Sequence, residues 1–129
     1  MNAVDVEMEL AYEMLSDAQL MLKGNRLRSL INRTYYGMFH AAKAILLYLG
    51  TDCQSHAGAI NRFGEFVIKK GLVDEKLAKS LHRAYRLREK CDYQPMSKVD
   101  KKDAQNLYNE AKEFVAEIKK LISHLQAKG

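Results

Sequence analysis

Residues 26–49 read RLRSLINRTYYGMFHAAKAILLYL, and the spacing of their apolar side chains decides the fold class. Ile31, Tyr35, Met38, Ala42, Ile45 and Leu49 recur every three or four residues, the interval that stacks side chains on one face of an α-helix. The second half of the stretch is apolar on several faces, so this helix is expected to be the central and most buried one. Gly50 ends it.

The same periodicity extends in both directions. Before it, residues 3–23 carry Val4, Met8, Ala11, Leu15, Ala18 and Leu22 in register, and Gly24-Asn25 is the stop signal. Asp5, Glu7 and Glu9 lie in the early turns, where the helix dipole favours negative charge. After it, residues 56–70 predict a third helix with Ile60, Phe63 and Val67 inward, stopped by Gly71; His56 reads there as a cap or loop anchor. Asp74 is an expected N-cap for a fourth helix, which runs to about residue 92 because Pro95 forbids continuation. Ser97 followed by Asp100 resembles a capping arrangement for a last helix. That helix aligns Ala104, Leu107, Ala111, Phe114, Ile118, Leu121 and Leu125. No stretch reads as a strand or a repeat. The expected fold is all-α: an up-down antiparallel bundle of four main helices plus one additional helix, with residues 1–129 as one domain.

Apolar residues make up 47% of the chain and charged residues 29%, a globular balance. No apolar run reaches the roughly 18–20 residues that span a bilayer, since His40 and Lys43 break the densest one. No basic-then-apolar export segment opens the chain, so Cys53 and Cys91 are expected as reduced thiols in a cytoplasm. Net charge is +5 but unevenly spread: residues 1–22 hold five acids and no lysine or arginine, whereas residues 69–90 hold eight bases against three acids. Such a stripe suits a polyanion or an acidic protein surface; a solvated helix face explains the charge equally well.

Residues 86–93, RLREKCDY, concentrate chemistry at the end of the fourth helix. At 100° per residue, Leu77, Leu81, Ala84, Arg88 and Cys91 fall on one side, and Lys79, His82, Arg86, Lys90 and Tyr93 on the other. Arg88 therefore points toward apolar surroundings and needs an acid, for which Asp92, four residues on, is the nearest. Arg86, His82 and Tyr93 in one line above a basic stripe could hold a phosphodiester through charge, proton transfer and stacking. The competing reading is a solvated face plus a structural Arg88–Asp92 pair, and the residues alone weigh the two evenly.

A second set lies on the central helix, where Arg33, Tyr36, His40 and Lys43 form one polar edge. A histidine in such a place is more often a hydrogen-bonded core residue than a catalyst. Glu-x-x-His, Cys-x-x-Cys and His-Glu-x-x-His are absent, so neither a di-iron nor a zinc site is expected, and no glycine-rich phosphate loop follows a strand. No cofactor is expected.

Taken together, the blocks resemble a known family. NRTYYGMFHAAKA at residues 32–44 resembles the second-helix signature of the HEPN superfamily, in its small stand-alone prokaryotic branch. His56-Ala57-Gly58 with Phe63, Phe66-Val67 and Gly71, then Leu87-Arg88 through Asp92-Tyr93-Gln94-Pro95, resembles that branch's later blocks in the same order. The resemblance implies an all-α bundle that dimerises, encoded beside a nucleotidyltransferase partner, with some members acting as RNA-cleaving toxins. Those ribonucleases use arginine to hold phosphate and a histidine four to six residues later to move protons, without metal. It makes Arg88, Asp92 and Tyr93 the catalytic candidates, while the helical projections offer Arg86, His82, Lys79, Lys90, Arg33, Tyr36 and His40 for binding. Placing Arg86 and Tyr93 on the motif leaves Cys91 where the histidine belongs, and Arg88 with Asp92-Tyr93 supplies no histidine either. The leading expectation is a nucleotide- or RNA-binding helical partner of a nucleotidyltransferase in a toxin–antitoxin-like module. The alternatives are a ribonuclease in which His82, Asp92 or Tyr93 replaces the missing group, and a purely structural dimeric bundle.

Overall fold

The computed structural model describes residues 2–129, which form α1 (Ala3–Lys23), α2 (Leu27–Tyr48), α3 (His56–Phe63), α4 (Lys76–Tyr93) and α5 (Lys101–Lys128). Most helix ends lie where backbone groups find partners, although α2 starts after Arg26 without a side-chain cap and the N-cap of α4 is Glu75, one residue after the expected Asp74. The Asn2 side chain accepts from the Asp5 N–H at 2.9 Å, the Ser55 hydroxyl from Gly58, and Asp74 from the Lys76 N–H. At the other ends, Asn25, Gly50 and Gly71 adopt left-handed φ of 56°, 83° and 71°. Their N–H groups and those of the next residues close back onto the preceding turn, so the carbonyls that each helix end orphans are satisfied. The chain reverses sharply at each of these points. The bundle topology follows.

Side-chain pairs fix the directions. Glu7 meets His40 while Asp17 meets Arg33, so α1 and α2 run antiparallel. Arg88 meets Tyr35 while Cys91 meets Arg28, and Lys76 meets Glu113 while Arg83 meets Glu110, so α4 opposes both α2 and α5. α2 packs on α1, α3, α4 and α5 and contributes more buried residues than any other element. Ile31, Tyr35, Met38, Ala42 and Ile45 are all essentially inaccessible, as the stripe requires. Each such apolar side chain contributes about 1.5–3 kcal/mol relative to exposure, which makes α2 the axis of the core.

Two small features place the site. Gly37 lies where α1 crosses α2: a Cβ there would come within 3.0 Å of Leu15 Cδ2, so glycine lets the helices approach closely and brings Glu7 onto His40. Arg28, at the start of α2, donates to the carbonyls of Cys91 (2.8 Å), Gln94 (3.2 Å), Pro95 (2.6 Å) and Ser97 (2.6 Å). One guanidinium thus satisfies the end of α4 and pins the following loop, a position the helix dipole also favours for a cation.

Two local expectations need correction. The third helix does not run evenly to residue 70: from Gly64 it widens into a π-helical turn, Gly64–Ile68, in which the Lys69 N–H reaches back to the Gly64 carbonyl. A change of winding leaves the apolar spacing almost intact, so periodicity does not reveal it. Ser97 does not cap α5. Asp100 does, accepting from the N–H groups of Lys102 and Asp103, because Ser97 is held against Gln94 and Arg28 in the pinned loop. No helix among the described residues is long and apolar enough to cross a membrane.

Candidate functional site

α4 carries two arginines, two residues apart, into opposite environments. Arg86 faces outward with Lys79, His82, Arg83 and Lys90 along an open concavity of about 630 Å³ that no acidic residue lines. Arg83 is held by Glu110 and Lys79 lies 3.8 Å from Glu75, but among the described residues His82, Arg86 and Lys90 have no ion-pair partner. The outward projection of Lys79, His82, Arg86 and Lys90 is therefore what the fold presents. Tyr93 is separate: it is 79% exposed beyond the end of this groove and lines none of it.

Arg88 turns inward. Its side chain keeps 15% of its exposure, and its guanidinium carbon lies 5.0, 5.8 and 5.6 Å from the ring centres of Tyr35, Tyr36 and Tyr85. Its Nη1 donates to Asp92 at 3.1 Å, the pair that the i, i+4 spacing implied. Its Nε is buried without a partner among the described residues. Cation–π attraction by three rings offsets the desolvation of a charge that one half-exposed carboxylate alone would satisfy poorly.

His56 corrects the sequence reading. Ser55 is the cap of α3, and the His56 ring instead packs on Phe39, with centroids 4.5 Å apart, and on Tyr36 at 5.6 Å. Its Nδ1 lies 2.7 Å from the Tyr35 hydroxyl. Burial, then the nearby Arg88 and His40, hold the imidazole below its usual pKa, and burial pushes the Tyr35 phenol up. Both groups are thereby neutral at pH 7.

The polar edge of α2 divides between two neighbours. Arg33 lies 3.9 Å from Asp17 of α1, and His40 Nδ1 lies 2.6 Å from Glu7 Oε2, with Lys43 3.9 Å from the other Glu7 oxygen. Tyr36 turns the other way, under Arg88. Thus Arg88, Asp92, Tyr36, His40 and His56 gather around one aromatic floor, while Arg33 stays apart on the α1 seam and Tyr93 at the exposed last residue of α4. Cys53 and Cys91 are free, and burial pushes both thiols up, which keeps them protonated and unreactive at neutral pH.

Three residues escaped the sequence reading. His56 lies 32 residues before Arg88, and no local pattern links them. Glu7 looked like a dipole-complementing acid, and only the Gly37 crossing turns it onto His40. For Arg28 a signal existed: a helix stopped by Pro95 leaves carbonyls that some donor must meet, although sequence does not say which.

Residues 6–121 of this antiparallel bundle match the HEPN domain. The chain belongs to the HEPN family. Among its relatives, the "Putative toxin MJ0605" of Methanocaldococcus jannaschii is 34% identical over 117 residues, covering 91% of this chain and 87% of the relative. A "UPF0332 protein" of Thermotoga maritima is 34% identical over 116 residues, covering 90% and 88%. Another of that name, from Archaeoglobus fulgidus, is 32% identical over 123 residues, covering 95% and 98%.

Proposed function

We propose that this chain is the HEPN component of a toxin–antitoxin-like module and binds RNA along the outer face of α4. The observation that carries this reading is the acid-free groove, in which His82, Arg86 and Lys90 stand unpaired beside Lys79. Arg83, by contrast, is engaged by Glu110 of α5. Unpaired Arg86 and Lys90 with Lys79 along one helix face suit a phosphate backbone. The exposed Tyr93, beyond the end of the groove, offers a ring on which a base can stack. The names of two relatives from Methanocaldococcus jannaschii include the word toxin, which supports the module. Its second component, in this reading, is a nucleotidyltransferase, and the HEPN chain itself pairs as a homodimer.

Fluorescence anisotropy with a labelled single-stranded RNA tests the central claim. Affinity is expected to fall steeply between 50 and 200 mM salt, on the order of tenfold or more for several phosphate contacts. Binding that ignores salt, or persists unchanged after Arg86→Glu, defeats the reading. Sedimentation and co-purification with a neighbouring nucleotidyltransferase address the two assembly claims separately.

A further inference from the structure

His82 and Arg86 form a ridge with a hollow on each side. Outward lies the acid-free groove; on the other side, between α3 and α4, lies a second concavity of about 200 Å³ that the same two residues line. Ile60 and Asn61 of α3 face Tyr85 and Glu89 of α4 across it. Ile60 is buried and gives an apolar floor, whereas Asn61 and Arg86 are exposed at the rim. Glu89 is the single acid lining this hollow, and among the described residues it belongs to no ion pair. Tyr85 holds it in place. Burial and a hydrogen bond with Glu89 push the phenol up, so the hydroxyl stays protonated and donates to the carboxylate. The Tyr85 ring is itself fixed, 5.8 Å from the Tyr35 ring and 5.6 Å from the Arg88 guanidinium carbon. A carboxylate has about four lone-pair sites, so one bond from Tyr85 leaves Glu89 able to accept others.

For a phosphate backbone alone, a carboxylate behind the ridge is unfavourable. For a base it is selective. Glu89 can only accept, so it matches a base edge that presents adjacent N–H donors. Guanine presents two, N1–H and the N2 amino group. Adenine and cytosine set an acceptor beside their amino group, and uracil has one N–H between two carbonyls. The Asn61 amide, on the facing helix, can donate to the guanine O6. Ile60 below and the Arg86 guanidinium plane at the rim offer faces against which a flat ring packs. We infer that the α3–α4 concavity is a guanine-selective subsite, with the phosphate of the bound nucleotide on the outer side of the His82–Arg86 ridge. It rests on the RNA-binding reading for the strand and deepens that reading by naming the base. A free guanine nucleotide has the same chemistry, and the two sources are separable by experiment. Glu89 is the specificity-determining residue; Tyr85, acting through it, is a positioning residue.

Anisotropy is measured on the full chain with a labelled uridine oligomer carrying one guanosine, and with adenosine, inosine or a further uridine at that position. Guanosine monophosphate alone is titrated by calorimetry. The guanosine oligomer is expected to bind about tenfold tighter than the adenosine one, the selectivity that a two-point base contact provides. Inosine, which lacks the N2 amino group, should fall between them. Glu89→Gln replaces one acceptor by a donor and should bring the two affinities to within about twofold of each other. Removing a negative charge strengthens binding of every oligomer, so the ratio and not either affinity is the readout. Tyr85→Phe keeps the ring, deletes the hydroxyl, and should lower the ratio about threefold with little change in the unfolding midpoint. Asn61→Ala, at an exposed position of α3, should lower the ratio as well. Oligomers bound equally whatever the base, or a guanosine preference that survives both Glu89→Gln and Asn61→Ala, overturn the subsite and leave the groove standing. A preference among oligomers without binding of the monophosphate assigns the subsite to the strand. Glu89-dependent binding of the monophosphate when no oligomer binds keeps the subsite and defeats the function proposed above. Binding of neither defeats both.

Discussion

Arg86 and Arg88 sit two residues apart on α4 and live in different solvents. Arg86 projects into an open groove that no acid lines, and among the described residues it has no ion-pair partner, although Glu89 shares a second concavity with it. Arg88 lies over three tyrosine rings with one carboxylate in reach. A helix turn of 200° between them is the whole cause. The comparison separates charge kept for a partner from charge built into the molecule. The first costs the fold almost nothing and is available to bind; the second is part of the packing, and its removal must be felt in stability.

The largest expected effect is therefore Arg88→Ala. It deletes a side chain that is mostly buried, leaves a void against Tyr35, Tyr36 and Tyr85, and strands Asp92. A loss of about 2–4 kcal/mol in unfolding free energy is expected by urea denaturation. Arg88→Met, which keeps the stem over the rings, should recover about half of it. An Arg88→Ala protein as stable as the native chain would show that both arginines belong to the surface. Next comes the groove itself. Replacing Lys79, Arg86 and Lys90 together by alanine should lower RNA affinity by tenfold or more and reduce the salt slope by about three counterions. Its unfolding midpoint should barely move, because none of the three is built into the core.

Asp92→Asn sharpens the inner half of the contrast. The Arg88–Asp92 bond is 3.1 Å long, but the carboxylate is 48% exposed. Solvent screening limits the expected cost to about 0.5–1 kcal/mol, well under that of Arg88→Ala. If the two variants cost the same, the ion pair and not the aromatic floor would hold Arg88, and the cation–π account would fail.

The bundle was legible in the sequence because it rests on periodic information. The spacing from Ile31 to Ile45, the stops at Asn25, Gly50 and Gly71, and the acid-poor outer face of α4 are each written within a few consecutive residues. The Arg88–Asp92 pair was readable for the same reason, since partners four apart on a helix need no tertiary knowledge. What escaped were contacts across elements. His56 reaches Tyr35 and Phe39 only because the loop after α2 folds α3 back, and Glu7 reaches His40 only where Gly37 lets two helices close. A helical projection gives the direction of a side chain, and not what waits there. Ser97 shows the same limit: its spacing to Asp100 is right for a cap, but Arg28, 69 residues away, had already engaged it.

The smallest effect tests how deeply the inner region excludes charge. His56 resists protonation in the folded chain because burial, Arg88 and His40 all disfavour the imidazolium. In the unfolded chain the ring titrates near its ordinary value of about 6.5. Below that pH the unfolded state takes up a proton that the folded state refuses, so acidification favours unfolding; above it neither state binds the proton and the contribution is flat. Stability should therefore decline as pH falls from about 6.5, and His56→Gln should remove that part of the decline while leaving the contribution of the carboxylates. Urea midpoints of the two proteins, measured from pH 7.5 down to 5, should approach one another as the pH falls. Parallel curves would mean that His56 protonates as readily in the fold as outside it.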